Sequence, residues 1–307
     1  MFCLVTGGAG FIGSHICEAL ISRGDRVRIL DNFATGKRDT AQRLQELGAE
    51  FVEGDIRSYH IVRDAVRDVG AILHLAALPS VPRSVKDPIT TNEVNVGGTL
   101  NVLDAAREGG VERVVFASSS SVYGSNIQLP KSEDMIPQPI SPYAVSKLAG
   151  EKYCQAFTKS YGLDTVSLRY FNVFGPRQDP QSAYAAFIPK CLLALRSSAR
   201  FVIDGDGSQS RDFTYVSNVV QANLRALEAE NIGGEVFNVA CGDSLSVKEV
   251  VQHLQEMTGC MGNVTHGPGR VGDVPHSLAD ISRAQELLGY EPELSAITGL
   301  QRIAVQP

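Results

Sequence analysis

The feature that most restricts the fold is a cluster of glycines within the first fifteen residues. Thr6-Gly7-Gly8-Ala9-Gly10-Phe11-Ile12-Gly13 follows the apolar run Phe2–Val5 and opens an amphipathic segment. Glycines at positions 7, 10 and 13 permit a tight turn, close approach of the backbone to a pyrophosphate, and close helix–strand packing. The helix start behind them offers free N–H groups and the positive end of a dipole. Further apolar runs lie at Arg26–Leu30, Glu50–Glu53, Ala71–Leu75 and Arg113–Ala117, separated by helix-like stretches at 11–23, 39–48, 58–69 and 87–109. A helix over 141–161 and a strand over Thr165–Arg169 continue the series. This alternation predicts an α/β fold, a Rossmann-type doubly wound parallel sheet with helices on both faces.

After Asn172 the rhythm loosens. Gly175–Ser182 and Asp204–Ser210 are rich in Gly, Pro, Gln, Asp and Ser, and read as loops. Helices are expected near 183–197, 216–229, 246–258 and 281–288, with a strand at Val236–Ala240. The chain therefore divides into a cofactor-binding domain over 1–172 and a smaller C-terminal α/β lobe over 173–307. That lobe is mainly substrate-binding, with some segments interleaved into the first domain.

Composition narrows the function. A net charge of −6 over 307 residues gives no footprint for nucleic acid. Six scattered cysteines, none at C-x-x-C spacing, argue against a zinc or redox site and fit a reducing cytoplasm. No apolar run approaches ~20 residues, so no membrane-spanning helix is expected, and the first strand leaves no room for a signal peptide.

Two residue patterns carry chemistry. Asp31 ends the second strand, 18 residues after Gly13. An acid there can hydrogen-bond both ribose hydroxyls of NAD and repels the 2′-phosphate of NADP. Tyr143-Ala144-Val145-Ser146-Lys147 sets a phenol and an ammonium four residues apart, on one helix face. A nearby ammonium and a positively charged nicotinamide both lower a tyrosine pKa from ~10 toward neutrality, as a general base requires. Alone, this spacing is a common coincidence on a surface helix. Phe116-Ala117-Ser118-Ser119-Ser120-Ser121-Val122-Tyr123-Gly124 adds hydroxyls just beyond a buried strand, where ligands bind in parallel sheets.

With Gly54-Asp55-Ile56, His74-Leu75-Ala76-Ala77, Arg169-Tyr170-Phe171-Asn172-Val173-Phe174-Gly175, Gly205-Asp206-Gly207 and Arg211-Asp212-Phe213, these motifs run in order along nearly the whole chain. In this it resembles the extended short-chain dehydrogenase/reductase family. The resemblance implies Tyr143 as base, Lys147 as its electrostatic partner and Ser119 as the hydroxyl sharing a proton with the sugar O4. It implies NAD contacts from Gly7, Gly10, Phe11, Ile12, Gly13, Asp31, Asn32, Asp55, Ile56, Leu75, Ala76, Ala77, Ser118, Tyr143, Lys147 and Tyr170.

Dehydratases of this family carry an Asp-Glu pair where this chain has Ser120 and Ser121, and the related decarboxylases a Glu at the second position. Serine cannot supply an acid–base pair near neutral pH, so the resemblance narrows to 4-epimerases, acting through a transient 4-keto sugar. Substrate contacts are then implied for Ser80, Arg83, Ser84, Ser119, Ser120, Tyr143, Asn172, Ala186, Phe187, Ile188, Arg211, Arg270, Asp273 and Ser277. Arg211 and Arg270 match diphosphate-clamping arginines, and Phe187 and Ile188 match a uracil pocket. Val81-Pro82-Arg83-Ser84, with Gln178-Asp179-Pro180 and Tyr184-Ala185-Ala186-Phe187-Ile188-Pro189-Lys190, resembles the branch acting on UDP-N-acetylglucosamine. Ser277 stands where glucose-restricted enzymes carry a bulky tyrosine, leaving room for an N-acetyl group. Pro79 replaces a lysine of many glucose-type enzymes, so that contact has to come from elsewhere.

No metal is expected. The resemblance implies a homodimer joined through a four-helix bundle of the segments 87–109 and 141–161, although their apolar faces fit ordinary packing on the sheet equally well. The competing readings are another nucleotide-sugar epimerase, reductase or dehydratase on this scaffold, and a non-catalytic NAD-binding sensor.

Overall fold

The computed structural model describes residues 1–182, 186–269 and 275–305. Strand β1 (Phe2–Thr6), helix α1 (Phe11–Ser22), β2 (Arg26–Asp31), α2 (Arg38–Glu46), β3 (Glu50–Glu53), α3 (Tyr59–Val66) and β4 (Ala71–His74) open the chain. Short helices α4 (Val81–Lys86) and α5 (Pro88–Asn92) follow, and α5 runs through a π-turn, Glu93–Gly97, into α6 (Gly98–Glu108). Next come β5 (Arg113–Ser119), a 3-10 turn (Ser120–Tyr123), α7 (Pro142–Tyr161) and β6 (Asp164–Tyr170).

The described residues form a parallel sheet of seven strands, whose seventh member is β11 (Val236–Val239). From one edge the order is β3-β2-β1-β4-β5-β6-β11. The chain starts in the middle, at β1, and reverses direction between β1 and β4. That reversal opens a crevice at the carboxyl ends of the two strands, the place where such sheets bind ligands. Both sheet faces are covered, so strands such as β4 are buried throughout, which explains their unbroken apolar sequence.

The rest of the chain is β7 (Val173–Phe174), α8 (Phe187–Ser197), β8 (Arg200–Asp204), β9 (Ser210–Arg211), β10 (Thr214–Tyr215), α9 (Val216–Glu228), β11 (Val236–Val239), β12 (Leu245–Ser246), α10 (Val247–Thr258), β13 (Asn263–Gly267), α11 (Ser282–Leu288) and α12 (Ala296–Ala304). Strand β11 completes the large sheet beside β6, while α9 packs against α1. A separate core holds Ile188, Leu192, Leu195, Val250, Leu254 and Leu300 between α8, α10 and α12. The parallel pair β8·β13 and the antiparallel pair β9·β12 flank it. Strand β11 and helix α9, from the second half of the chain, thus return to the large sheet.

Several expectations shift. The segment expected as one helix over 87–109 contains the π-turn, which periodicity does not disclose. The helix expected from 183 is described from Phe187, residues 183–185 lying outside the described set. Helices α4 and α12 and the pair β8·β13 were not foreseen.

Candidate active site

The glycine turn leaves the end of β1 and runs beneath the exit of β4. Gly7 has φ of +74°, and a Cβ there would sit 2.8 Å from the Ala76 nitrogen. A Cβ on Gly13 would sit 2.3 Å from the Gly7 carbonyl oxygen. Each space is therefore one that only glycine leaves free. Gly10 caps α1 without a side-chain hydrogen bond, so the first N–H groups of the helix stay available.

Asp31 fixes this turn from the end of β2. Its carboxylate accepts the Ala9 N–H at 3.0 Å and the Phe33 N–H at 2.8 Å. Burial pushes its pKa above the usual carboxylate value despite both bonds. Asp55, beyond β3, accepts Asn32 Nδ2 at 2.9 Å and Arg57 Nη2 at 2.8 Å, and Arg57 chiefly holds its carboxyl low.

A cleft of about 550 Å³ runs from these acids to the end of β5. All sixteen residues expected at NAD, from Gly7 to Tyr170, line it. The glycines and Asp31 fit a dinucleotide: the turn supplies backbone N–H groups for a pyrophosphate, and Asp31 beside it a carboxylate for ribose hydroxyls. Ser118 lines the cleft but gives its hydroxyl to Glu151 at 2.5 Å. Tyr170 donates its phenol to Asn223 at 2.9 Å.

At the cleft's inner end, β5 delivers Ser119 and α7 delivers Tyr143 and Lys147. Helix α7 starts where it does because the Ser141 hydroxyl caps the Ala144 N–H at 3.2 Å and Pro142 fits the first turn. Ser119 Oγ accepts the Ser121 N–H at 3.2 Å, leaving its own hydrogen to give, and it stands near enough to the Tyr143 phenol to favour the phenolate. Lys147 is 5% exposed and donates from Nζ to the Ala117 carbonyl at 2.7 Å. Burial pushes its pKa down to about 8.

The expected lowering of the Tyr143 pKa, by the ammonium and a bound nicotinamide together, starts from a raised value. Tyr143 keeps part of its surface open, yet burial pushes its pKa up, and the nearby Ser119 hydroxyl opposes this. Lowering it toward neutrality takes positive charge beside the phenol, from the Lys147 ammonium one helical turn along α7 and from a bound nicotinamide.

A network missed in the sequence supports the cleft. Thr6 Oγ1 accepts the Ala76 N–H at 3.2 Å and meets His74 Nδ1 at 2.7 Å. His74 Nε2 lies 2.9 Å from Thr99 Oγ1, whose hydrogen goes to the Asn95 carbonyl at 2.6 Å. These directions assign a neutral imidazole with the proton on Nε2, and burial pushes its pKa down to about 3. The π-turn places Asn95 between the cleft wall and α7: its side chain bonds Leu78 N at 2.7 Å, Leu78 O at 3.2 Å and Ser146 Oγ at 3.0 Å. Arg57, Thr35 and Thr90 also line the cleft. Of these only Arg57, two residues after Asp55, carried a readable signal.

The residues expected at the substrate divide. Ser80, Arg83 and Ala186 line the cleft with Tyr143. Ser80 takes φ of +108° and caps α4 through the Arg83 N–H at 3.2 Å. Ser120 is partly exposed beside Ser119. Ser84 is 0% exposed and gives its hydroxyl to Val81 O, so its side chain is spent within α4. Ile188 is 2% exposed in the lobe core, leaving only its backbone for a ligand, while Phe187 packs against Phe201 and Phe213. Asn172, Arg211 and Ser277 form a separate group: Asn172 Nδ2 bonds Asp212 O at 3.2 Å, Arg211 Nη1 bonds Pro275 O at 3.1 Å, and Ser277 N bonds Ser210 O at 3.0 Å. Arg270, Asp273, Tyr184 and Ala185 lie outside the described residues.

Comparison with known proteins agrees with this architecture. The profile of the NAD dependent epimerase/dehydratase family matches residues 3–240. A UDP-glucose 4-epimerase of Mycolicibacterium smegmatis is 38% identical over 311 residues, covering 98% of this chain and 97% of that protein. The UDP-N-acetylglucosamine 4-epimerase of Methanobrevibacter ruminantium, solved with UDP-N-acetylmuramic acid, superposes with a TM-score of 0.93 at 39% identity, covering 98% of this chain and 96% of that one. The UDP-glucuronic acid 4-epimerase of Bacillus cereus, solved with UDP-glucuronic acid and NAD, gives 0.90 at 34% identity, covering 98% and 97%. A glycine turn, an acid at the end of β2 and a Tyr143/Lys147 pair sharing one cleft, with a profile match over most of its length, place this chain in the NAD dependent epimerase/dehydratase family.

Proposed function

We propose that this protein interconverts the C4 epimers of a UDP-sugar, either UDP-GlcNAc and UDP-GalNAc or UDP-Glc and UDP-Gal, with NAD retained through turnover. The observation that carries the reading is the Tyr143 phenol, beside Ser119 and one helical turn from Lys147, in the cleft that begins at the glycine turn. NAD, when bound, supplies a carrier that takes a hydride from C4 and returns it.

The chain's own residues manage the proton. Tyr143 accepts it from the O4 hydroxyl, and the free hydrogen of Ser119 bridges O4 and the phenol. Lys147, charged, favours the phenolate. Ser120 and Ser121 offer no carboxylate for removing water, which disfavours dehydration. Asn172 and Arg211 bind the diphosphate, Ser80 and Arg83 the sugar side, and Ser277 leaves space at C2. Residues 1–172 thus serve mainly NAD and residues 173–307 mainly the sugar nucleotide.

The four-helix homodimer is part of this reading. It is supported by a groove between α6 and α7 lined by Leu100, Tyr153, Phe157 and Tyr161, with Tyr161 58% exposed. Six free cysteines support a cytoplasmic location, and among the described residues no helix is long and apolar enough to cross a membrane.

The test is purified protein with UDP-GlcNAc, UDP-Glc and UDP-GlcA in parallel, resolving products and monitoring NADH. Epimerisation without net NADH is expected. Product formed in proportion to NADH, or no epimer from any substrate, defeats the reading.

A further inference from the structure

Behind the cleft, α7 and the sheet bury two charges that the proton path above leaves unused. Glu151 and Arg169 are 0% and 3% exposed and pair through two bonds, Nε to Oε1 at 2.9 Å and Nη2 to Oε2 at 2.8 Å. Glu151 Oε1 also accepts the Ser118 hydroxyl at 2.5 Å. Ser118 and Arg169 are direct cross-strand partners on β5 and β6. Glu151 follows Lys147 by four residues, so both lie on the same face of α7. Lys147 in turn bonds Ala117 O, the residue before Ser118. One carboxylate therefore fastens the strand end that holds the lysine and stands a single turn behind its ammonium.

A buried ion pair is seldom kept for stability, because desolvation offsets much of the attraction and an apolar pair often serves as well. The groups around these charges identify another use. Lys147 faces Glu151 and Cys154 on α7, His74 on β4 and the Phe116 ring on β5, 5.0 Å from Nζ. Glu151 faces Ser118, Arg169, Cys154 and Lys147, and beyond Arg169 lies the Tyr123 ring at 4.8 Å. Burial keeps Cys154 a thiol, with its pKa pushed up to about 12, and keeps His74 neutral. Among the described residues this leaves the ion-paired Glu151 carboxylate as the anion facing the lysine. Desolvation lowers the Lys147 pKa, and the Glu151 carboxylate opposes that. Arg169 gives the buried carboxylate its counter-charge through two hydrogen bonds.

We propose that Glu151, held in place by Arg169 and Ser118, is a positioning residue that keeps Lys147 charged and anchored one turn from the Tyr143 phenol. The inference rests on the assignment of Tyr143 as base and Lys147 as its partner.

The variants are Glu151→Gln combined with Arg169→Met, which removes the pair without stranding a charge, and Arg169→Lys, which keeps the carboxylate paired. Two readouts are needed: the pH profile of kcat, and the tyrosinate difference absorbance of each protein against the same protein carrying Tyr143→Phe. A less charged lysine raises the tyrosine pKa. The double variant should therefore move both the acid limb of kcat and the tyrosinate transition upward by about one pH unit, with KM unchanged. Arg169→Lys should keep the wild-type position. If the double variant does not fold, Glu151→Asp decides: the shorter side chain withdraws the charge, and both transitions should move the same way by less. Transitions that stay in place when the carboxylate is removed or withdrawn, however far kcat falls, make the pair merely structural and overturn the inference. A wild type that epimerises no UDP-sugar defeats the functional reading instead, whatever the tyrosinate titration shows.

Discussion

Replacing Gly13 by alanine tests the glycine turn where it has least freedom. The new Cβ would lie 2.3 Å from Gly7 O and 2.9 Å from Gly8 Cα. Carbon contacts settle at about 3.5–4.0 Å, so the turn has to open by roughly an ångström. Both obstructing atoms are backbone, and no rotamer change relieves them. Nor can Gly7 simply retreat, because the Ala76 nitrogen lies 2.8 Å from its own Cβ position. Overpacking of this kind costs about 1–3 kcal/mol. The same displacement pulls N–H groups off the pyrophosphate, and losing one hydrogen bond to a charged group costs about 1.5–3 kcal/mol. NAD affinity should therefore fall about ten- to a hundredfold, measured by calorimetric titration of NAD-stripped protein, with stability read from urea unfolding. Gly24→Ala is the control. Gly24 has φ of +89° with nothing within 4 Å of a Cβ, so it should lose about 1 kcal/mol of stability and keep its NAD affinity. If Gly13→Ala binds NAD within about twofold of wild type, the turn is not the pyrophosphate cradle.

Tyr143→Phe should lower kcat by about 10²–10⁴-fold while leaving NAD affinity and the melting temperature near wild type; unchanged epimerisation would remove Tyr143 from the role of base. His74 gives a pH signature in stability. Its folded pKa, about 3, lies below the ordinary 6.5, so the unfolded chain binds more protons between these values. Its contribution is complete above about 6.5 and is lost as pH falls toward 3, roughly 3–5 kcal/mol in all. Urea unfolding across that window should therefore show a flatter acid decline for His74→Asn than for wild type, and parallel curves would contradict the buried neutral imidazole. Ser277→Tyr should abolish turnover of UDP-GlcNAc while sparing UDP-Glc. A wild type inert on the N-acetylated pair would show that the space at position 277 is not what admits it.

What the sequence discloses depends on how local the cause is. Gly7, Gly10 and Gly13 act through their own backbone, so the turn and α1 could be read directly. So could Asp31, because β2 delivers it at a fixed distance along the chain. Tyr143 and Lys147 are legible as a pair because helical spacing alone brings them together. The π-turn at 93–97 is invisible because a shifted hydrogen bond barely alters the apolar period, and Asn95 was missed with it. Strands β8 and β13 are short and some sixty residues apart, with pairing visible only in space. Ser84 and Ile188 lie in motifs expected at the substrate, yet their side chains point into packing, which a linear motif cannot distinguish. Glu151 on α7 reads as an ordinary solvated charge until Arg169, from a different strand, is found against it. The burial that pushes the Tyr143 pKa up is likewise a property of the packing and not of the Tyr-x-x-x-Lys spacing.

The central claim is that one sugar carbon is oxidised and reduced within one cleft, with the hydride never leaving the protein. UDP-glucose or UDP-GlcNAc deuterated at C4, turned over in ordinary water and resolved by mass spectrometry and NMR, tests this most directly. The account predicts that the epimer keeps its deuterium at C4. Loss of the label to solvent would mean inversion by proton abstraction and would contradict the roles of Tyr143 as base toward O4 and of the bound dinucleotide as hydride carrier.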